Sequence, residues 1–263
     1  KKRDGSLIVL EALTFLHPGT GQTTGVVDLP IQREVHTGFP MIASSGLKGS
    51  LRDKAEREWG KGDIVDGIFG SEDAQKSGAL AVTDGRILAF PVRSLQKVFV
   101  WVTCPMVLGR LRRDLELAGL STAGLPVDLQ VKVEQALVAR EAGFQSPLIL
   151  EEIALELITQ EGGHSAAGLG GLLPDDIQEE MKRRLMVVSD QDFQYFVRHA
   201  TQVSARIALN ERKTTTGDGG NLWYEETLPP ETIMYALLLA NAPRNGGASA
   251  LKDAAGVIAK VTG

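Results

Sequence analysis

Asp28 lies in the stretch Gly25-Val26-Val27-Asp28-Leu29-Pro30-Ile31-Gln32-Arg33-Glu34, ahead of Ser44-Ser45-Gly46-Leu47-Lys48-Gly49-Ser50-Leu51-Arg52. The second stretch reads as a small-residue turn that opens a helix, with Lys48 and Arg52 one helical turn apart. Unpaired backbone N–H groups and a positive helix end attract an anion, and the two cations reinforce that attraction. A phosphate suits the turn. A carboxylate beside a bound phosphodiester is the chemistry of a nuclease. The same residues also admit plainer readings: Asp28 as a turn aspartate bonded to its own backbone before Pro30, and Lys48 and Arg52 as a solvated flank on which Arg52 pairs with Glu56.

Those residues need a frame to hold them. Ser6 to Phe15 reads as a buried strand, and the glycine- and proline-broken run from His17 to Gly25 as loop. Leu47, Leu51 and Ala55 recur at helical spacing up to Trp59. Gly78 to Phe90 predicts one bent strand, or a hairpin turning at Asp84-Gly85. Val98 to Thr103 predicts a strand and Pro105 the first turn of a helix with Leu108, Leu111 and Leu115 on its apolar stripe. Leu148 to Ile158 is again strand-like. Gly162 to Gly171 has linker composition. Pro174 to Leu185 and Gln191 to His199 read as helices, and Thr201 to Leu209 as a strand. The polar, glycine-tipped run Asn210 to Gly220 and then Leu222-Trp223-Tyr224-Glu225-Glu226 predict a long projecting hairpin. Thr232 to Ala240 supplies a further strand and Ala248 to Val261 a final helix. The sum is an α+β fold of strands flanked by helices.

Composition bounds the function. The 263 residues are 43% hydrophobic, enough for a substantial core. No apolar run approaches the roughly 18 residues of a membrane span, so a cytoplasmic protein is expected. A net charge of −5 argues against a protein that wraps nucleic acid in positive surface. The cations instead crowd the first quarter, predicting one basic face. Cys104 is the single cysteine, which rules out an intrachain disulfide framework, and its apolar neighbours mark it as core. No histidine or cysteine pair has structural-zinc spacing.

The blocks His17-Pro18-Gly19-Thr20-Gly21, Gly25 to Glu34, His36-Thr37-Gly38-Phe39-Pro40, Ser45 to Arg52 and Leu222 to Glu231 resemble the repeating backbone subunit of type III-B CRISPR effector complexes, the Cmr module of the RAMP superfamily. The resemblance is dense over the first 55 residues and clear from 200 to 240; the run around Asp28 is its specific part. It implies a single palm domain over 1–263, ferredoxin-like and RRM-type, with an insertion at about 105–185 and a thumb hairpin at about 209–226. It implies that copies of the chain polymerise in a helical filament along a guide crRNA, beside other type III-B subunits. Each would wedge its thumb into the guide–target duplex and cut the complementary target RNA at regular spacing, as an endoribonuclease dependent on Mg²⁺ or Mn²⁺. The family commonly ends in a glycine-rich loop and a last strand, which are expected to begin where this chain stops at Val261-Thr262-Gly263. It also has Pro-Gly where this chain has Ala43-Ser44.

On that resemblance Asp28 is the cutting residue, as metal ligand or as base for the 2′-OH, with a 2′,3′-cyclic phosphate and a 5′-OH as products. The guide backbone would be gripped by Ser44, Ser45, Gly46, Lys48, Gly49 and Arg52, with Arg33 and His36 as further RNA contacts. His17 could protonate the leaving oxygen or be a strand-end histidine bonded to backbone. Trp223 and Tyr224 would stack on a base or pack the hairpin root. Glu225 and Glu226 read as a solvated strand end more than as a second catalytic carboxylate. Two other classes compete: a guide-RNA scaffold with cleavage elsewhere, and, remotely, a serine hydrolase built on Ser45-Gly46-Leu47-Lys48 with Ser189-Asp190-Gln191 and Lys213-Thr214-Thr215.

Overall fold

The computed structural model describes residues 4–263 except 74, 161–168, 170–171, 209–221, 244–250 and 252. In chain order the elements are β1 (Asp4–Glu11), β2 (Met41–Ile42), α1 (Ser44–Trp59), α2 (Asp63–Phe69), β3 (Leu80–Val82), β4 (Gly85–Ser94), β5 (Val98–Thr103) and α3 (Pro105–Ala118). Then come β6 (Gln135–Ala139), β7 (Leu148–Leu150), β8 (Ile153–Gln160), α4 (Asp175–Arg184), β9 (Leu185–Val188), α5 (Asp190–His199), β10 (Gln202–Ile207), β11 (Leu222–Thr227), β12 (Ile233–Ala240) and α6 (Ala254–Thr262).

The fold is α+β. Strands run β1-β12-β4-β5-β9-β6-β8-β7, and β7 returns to pair with β4 at Ser94–Leu150, so the second half of the sheet curls into a barrel-like ring. β4, β5, β9 and β12 carry near-continuous apolar runs because both of their faces are covered. α3 packs its stripe of Val107, Leu108, Leu111 and Leu115 into this core, and Pro105 opens it as the sequence predicts. A second cluster joins α1, α2 and α6 to β12 through Ala55, Val65, Ile68, Leu238 and Val257.

Three expectations are corrected. β1 ends at Glu11 instead of running to Phe15; the Ala12 N–H turns to Thr232 O, leaving Leu13 and Phe15 exposed. Of the two readings of Gly78 to Phe90 the bent strand holds and the hairpin fails, because β3 and β4 both pair with β12 and not with each other. Leu148 to Ile158 is two strands, β7 and β8, folded on each other through Glu151-Glu152 with Glu151 at φ 49°, a turn its apolar composition does not announce. Most of the linker-like stretch and the hairpin tip, including Gly217 to Gly220 and Lys213, lie outside the described residues. Among the described residues no helix is long and apolar enough to cross a membrane.

Candidate active site

The hairpin of β10 and β11 stands apart from the main sheet as its own two-stranded ribbon, with Ser204 opposite Glu225 and Arg206 opposite Trp223. The Asp28 loop is bonded to its root. The Tyr224 N–H donates to Asp28 Oδ2 at 2.8 Å, the Leu29 N–H donates to Tyr224 O at 3.0 Å, and the Glu226 N–H donates to Leu29 O at 3.0 Å. The loop also folds on itself, with the Thr23 N–H on Asp28 O and the Thr23 hydroxyl on Val27 O. Asp28 therefore faces an open groove of about 640 Å³ lined by Gln22, Thr23, Leu29, Leu222, Trp223 and Glu225. Its Oδ1 has no hydrogen-bond partner among the described residues. Trp223 is half-buried on the groove wall, and Glu225 is tied by Arg206 Nε at 2.8 Å.

Glu226 is the residue sequence reasoning missed. It is not a solvated strand end: it is buried, and its carboxylate accepts from the Ile31 N–H at 3.1 Å, Arg33 Nη2 at 2.5 Å and the Thr201 hydroxyl at 2.9 Å. Its carbonyl accepts from His17 Nδ1 at 2.7 Å. That bond orients the His17 ring against Gly19 and leaves Nε2 as its remaining nitrogen. Arg33 also donates to Gly38 O and Val197 O, both at 2.9 Å, so its guanidinium is committed inside the protein and not extended to solvent. A run of alternating residues in β11 carries no signal that its second glutamate meets an arginine so distant in sequence.

The entrance to α1 differs in the same way. Ala43 is the N-cap and offers no side-chain bond, and the first turn itself contains no acid. A carboxylate from outside the helix fills that end instead: Asp84 Oδ1 accepts from the Ser44 N–H at 2.7 Å, and the Gly46 N–H is bonded to Ala43 O at 3.0 Å, so two of the expected anion donors are occupied. Ser45, Gly46 and Gly49 are exposed, with open space beside both glycines. Lys48 is half-buried with no ion-pair partner among the described residues, and burial, then the charge of Arg52, holds its ammonium below the usual lysine range. Arg52 is spoken for: it donates to Glu56 Oε1 at 2.7 Å, Asp66 Oδ1 at 3.0 Å and Gly70 O, tying α1 to α2. The expected pair with Glu56 is present. The bond to Glu56 leads the causes that raise the Arg52 pKa.

His36 is exposed and contacts Arg110 Nη2 at 3.0 Å, while Arg110 holds Glu34 at 2.7 Å. The serine-hydrolase arrangement does not form among the described residues: Ser189 caps α5 by accepting from the Asp192 N–H, and Asp190 accepts from the Met106 N–H. Cys104 is buried, and burial pushes its thiol far above the ordinary range. Among the described residues no three His, Cys, Asp or Glu side chains gather to hold a metal.

The sequence matches the RAMP superfamily over residues 9–253. It is 38% identical over 245 residues to the CRISPR system Cmr endoribonuclease Cmr4 of Pyrococcus furiosus, covering 89% of this chain and 80% of that protein. The CRISPR system CMR subunit Cmr4 of Saccharolobus solfataricus is 23% identical over 261 residues, covering 90% of this chain and 84% of that protein. The crystal structure of oligomeric Cmr4 from Pyrococcus furiosus superposes with a TM-score of 0.76 at 30% identity, over 100% of this chain and 88% of that one. A chain of the type III-B Cmr-beta complex bound to cognate target RNA shares the fold, with a TM-score of 0.73 at 22% identity over 94% of this chain and 87% of that one. With the family match spanning most of its length and a relative 38% identical over most of both proteins, the chain belongs to the RAMP superfamily, in the family of the Cmr4 proteins.

Proposed function

We propose that the chain is the crRNA-binding backbone subunit of a type III-B CRISPR antiviral complex, repeating along the guide RNA and cutting complementary target RNA at regular intervals, with Asp28 as the acting carboxylate. One observation carries the reading: Asp28 is fixed at the root of a projecting hairpin, on a groove it shares with Trp223. A duplex wedged by the hairpin would lay a displaced base beside Trp223 and its phosphodiester beside Asp28. RNA brings its own nucleophile, the 2′-OH, so one carboxylate and a held phosphate suffice; acid–base work alone contributes about 10²–10⁴-fold. Bound at Asp28 Oδ1, Mg²⁺ or Mn²⁺ would supply charge neutralisation at the reacting phosphate. His17 would act through Nε2, which donates only when the ring is protonated.

Lys48 with Ser45, Gly46 and Gly49 supplies the grip on guide phosphates, and Ser44 lends its place at the helix entrance. His36 is a peripheral contact. Arg33 and Arg52 serve by holding the loop and α1 in place. In chain order β1, α1, β4, β5, α3 and β12 follow the β-α-β-β-α-β connectivity of a ferredoxin-like palm, although the sheet order β1-β12-β4-β5 leaves β1 at the edge where that fold has its first strand in the centre. That chain order supports one palm domain with the hairpin as its thumb; because α3 (Pro105–Ala118) then belongs to the palm, the insertion expected at about 105–185 is confined to the residues after Ala118. Cytoplasmic residence suits an effector of this class.

A scaffold without cleavage is the second reading. It is favoured by the bond from the Tyr224 N–H, which gives Asp28 a structural task of its own. Adding guide-complementary RNA and Mg²⁺ to the assembled complex separates the two: target fragments at a fixed interval, lost on mutation of Asp28, support the nuclease, and a ladder indifferent to Asp28 supports the scaffold.

A further inference from the structure

We propose that Glu226 is a positioning residue for RNA cutting, coupling the reach of Asp28 to the placement of the hairpin. The inference rests on the reading of Asp28 as the acting carboxylate. A buried carboxylate is stable only when its oxygens are met by donors. Those donors come from two segments: the Ile31 N–H and Arg33 from the strip that follows Asp28, and the hydroxyl of Thr201, which leads directly into β10. Glu226 itself belongs to β11, so one side chain gathers the acid-bearing strip and both strands of the ribbon.

The tether to Asp28 is short and stiff. Leu29 is bonded through its N–H and its C=O to β11, Pro30 has its φ fixed by its ring, and Ile31 is held by Glu226. Few soft dihedrals separate that anchor from the Asp28 carboxylate, whose own Oδ2 is held by Tyr224, two residues before Glu226 on the same strand. Movement of β11 therefore carries the carboxylate with it. A hairpin seated in a guide–target duplex sets Asp28 in line with the phosphodiester, and one held elsewhere withdraws it.

The test uses assembled complexes carrying Glu226→Gln, Thr201→Val, Thr201→Ser or Asp28→Asn, each measured for target affinity and for single-turnover cutting at saturating target with Mg²⁺. Glu226→Gln sets an amide N–H against the Arg33 fork, and a misplacement of about 1 Å is expected to slow cutting about 10- to 100-fold, with affinity changed less than about 2-fold and fragment spacing unchanged. Thr201→Val is expected to slow cutting less, and Thr201→Ser to restore it. Wild-type cutting by Glu226→Gln overturns the proposal, as does a loss of affinity or assembly that accounts for the whole loss of rate. If Glu226→Gln does not assemble, Thr201→Val decides: slowed cutting rescued by Ser supports the proposal, and wild-type cutting, or failure of Ser to rescue, overturns it. Asp28→Asn separates the two layers. Full activity there removes the catalytic reading itself, whereas an inactive Asp28→Asn beside a fully active Glu226→Gln removes only the positioning role.

Discussion

The backbone N–H of Tyr224 meets Oδ2 of Asp28 at 2.8 Å across 196 residues of sequence separation, joining a loop near the start of the chain to a hairpin near its end. That bond makes the acid part of the hairpin's root. Among the described residues it leaves Oδ1 without a hydrogen-bond partner on a residue that lines the groove, as a carboxylate needs if it is to meet a metal ion or a proton.

Lys48 and Arg52, alike in sequence, separate in their expected effects. Lys48→Ala should weaken guide RNA binding and flatten its dependence on salt by about one phosphate contact, a change in log–log slope of about 0.7–0.9. Arg52→Ala should leave the slope alone and cost about 1–3 kcal/mol of stability, because it strands Asp66 and the Gly70 carbonyl. Filter binding across a salt series and thermal melts of the two variants distinguish these outcomes; equal loss of slope in both would contradict the assignment.

Lys48 also predicts a pH effect. Burial lowers its folded pKa, so the free protein releases this proton before an unfolded lysine would, and stability rises with pH between the lowered value and the ordinary one. A phosphate bound beside it favours the ammonium, so binding takes up a proton in that window. Guide affinity should therefore fall as pH rises through that window, below the ordinary lysine range, and Lys48→Arg should remove much of that fall, since arginine stays charged throughout. A pH series of binding isotherms at constant ionic strength checks it.

Arg33→Ala should destabilise the protein by about 3–5 kcal/mol, because it leaves Glu226 buried beside a lost partner, with side-chain exposures of 21% and 9% for the pair. Chemical denaturation measures this directly. A loss below about 1 kcal/mol would place Arg33 among the surface cations that the sequence suggested.

The division between legible and hidden parts of the molecule follows the range of the interactions. α1 and α3 were readable because Leu47, Leu51 and Ala55, and Pro105 with Leu108, Leu111 and Leu115, signal within one or two helical turns. The pairing of β10 with β11 was readable from two alternating runs around a polar, glycine-rich segment. Asp28 stands out through its sequence neighbours and the family resemblance they carry. The roles of Arg33, Arg52 and Glu226 were hidden, since the partners that occupy them, Glu226, Asp66 with Gly70, and Ile31 with Thr201, meet only after the chain has folded. An arginine in a basic segment looks the same whether it faces RNA or a buried carboxylate.

Trp223 tests the groove. Trp223→Ala should weaken target engagement by about 1–3 kcal/mol if a base stacks on the indole, and Trp223→Phe should retain most of it. Equal losses of thermal stability and target affinity in the Ala variant would assign the ring to packing of the hairpin root.

The central claim is that the Asp28 carboxylate cuts RNA. Purified complexes carrying wild-type chain, Asp28→Asn or Asp28→Ala are given guide-complementary RNA and Mg²⁺, and target fragments are resolved on a denaturing gel beside a measurement of target affinity. A ladder at fixed spacing from wild type, none from either variant, and affinity within about 2-fold in all three is the expected result, because the carboxylate acts on the reacting phosphate and not on binding. A wild-type ladder from Asp28→Ala would contradict it.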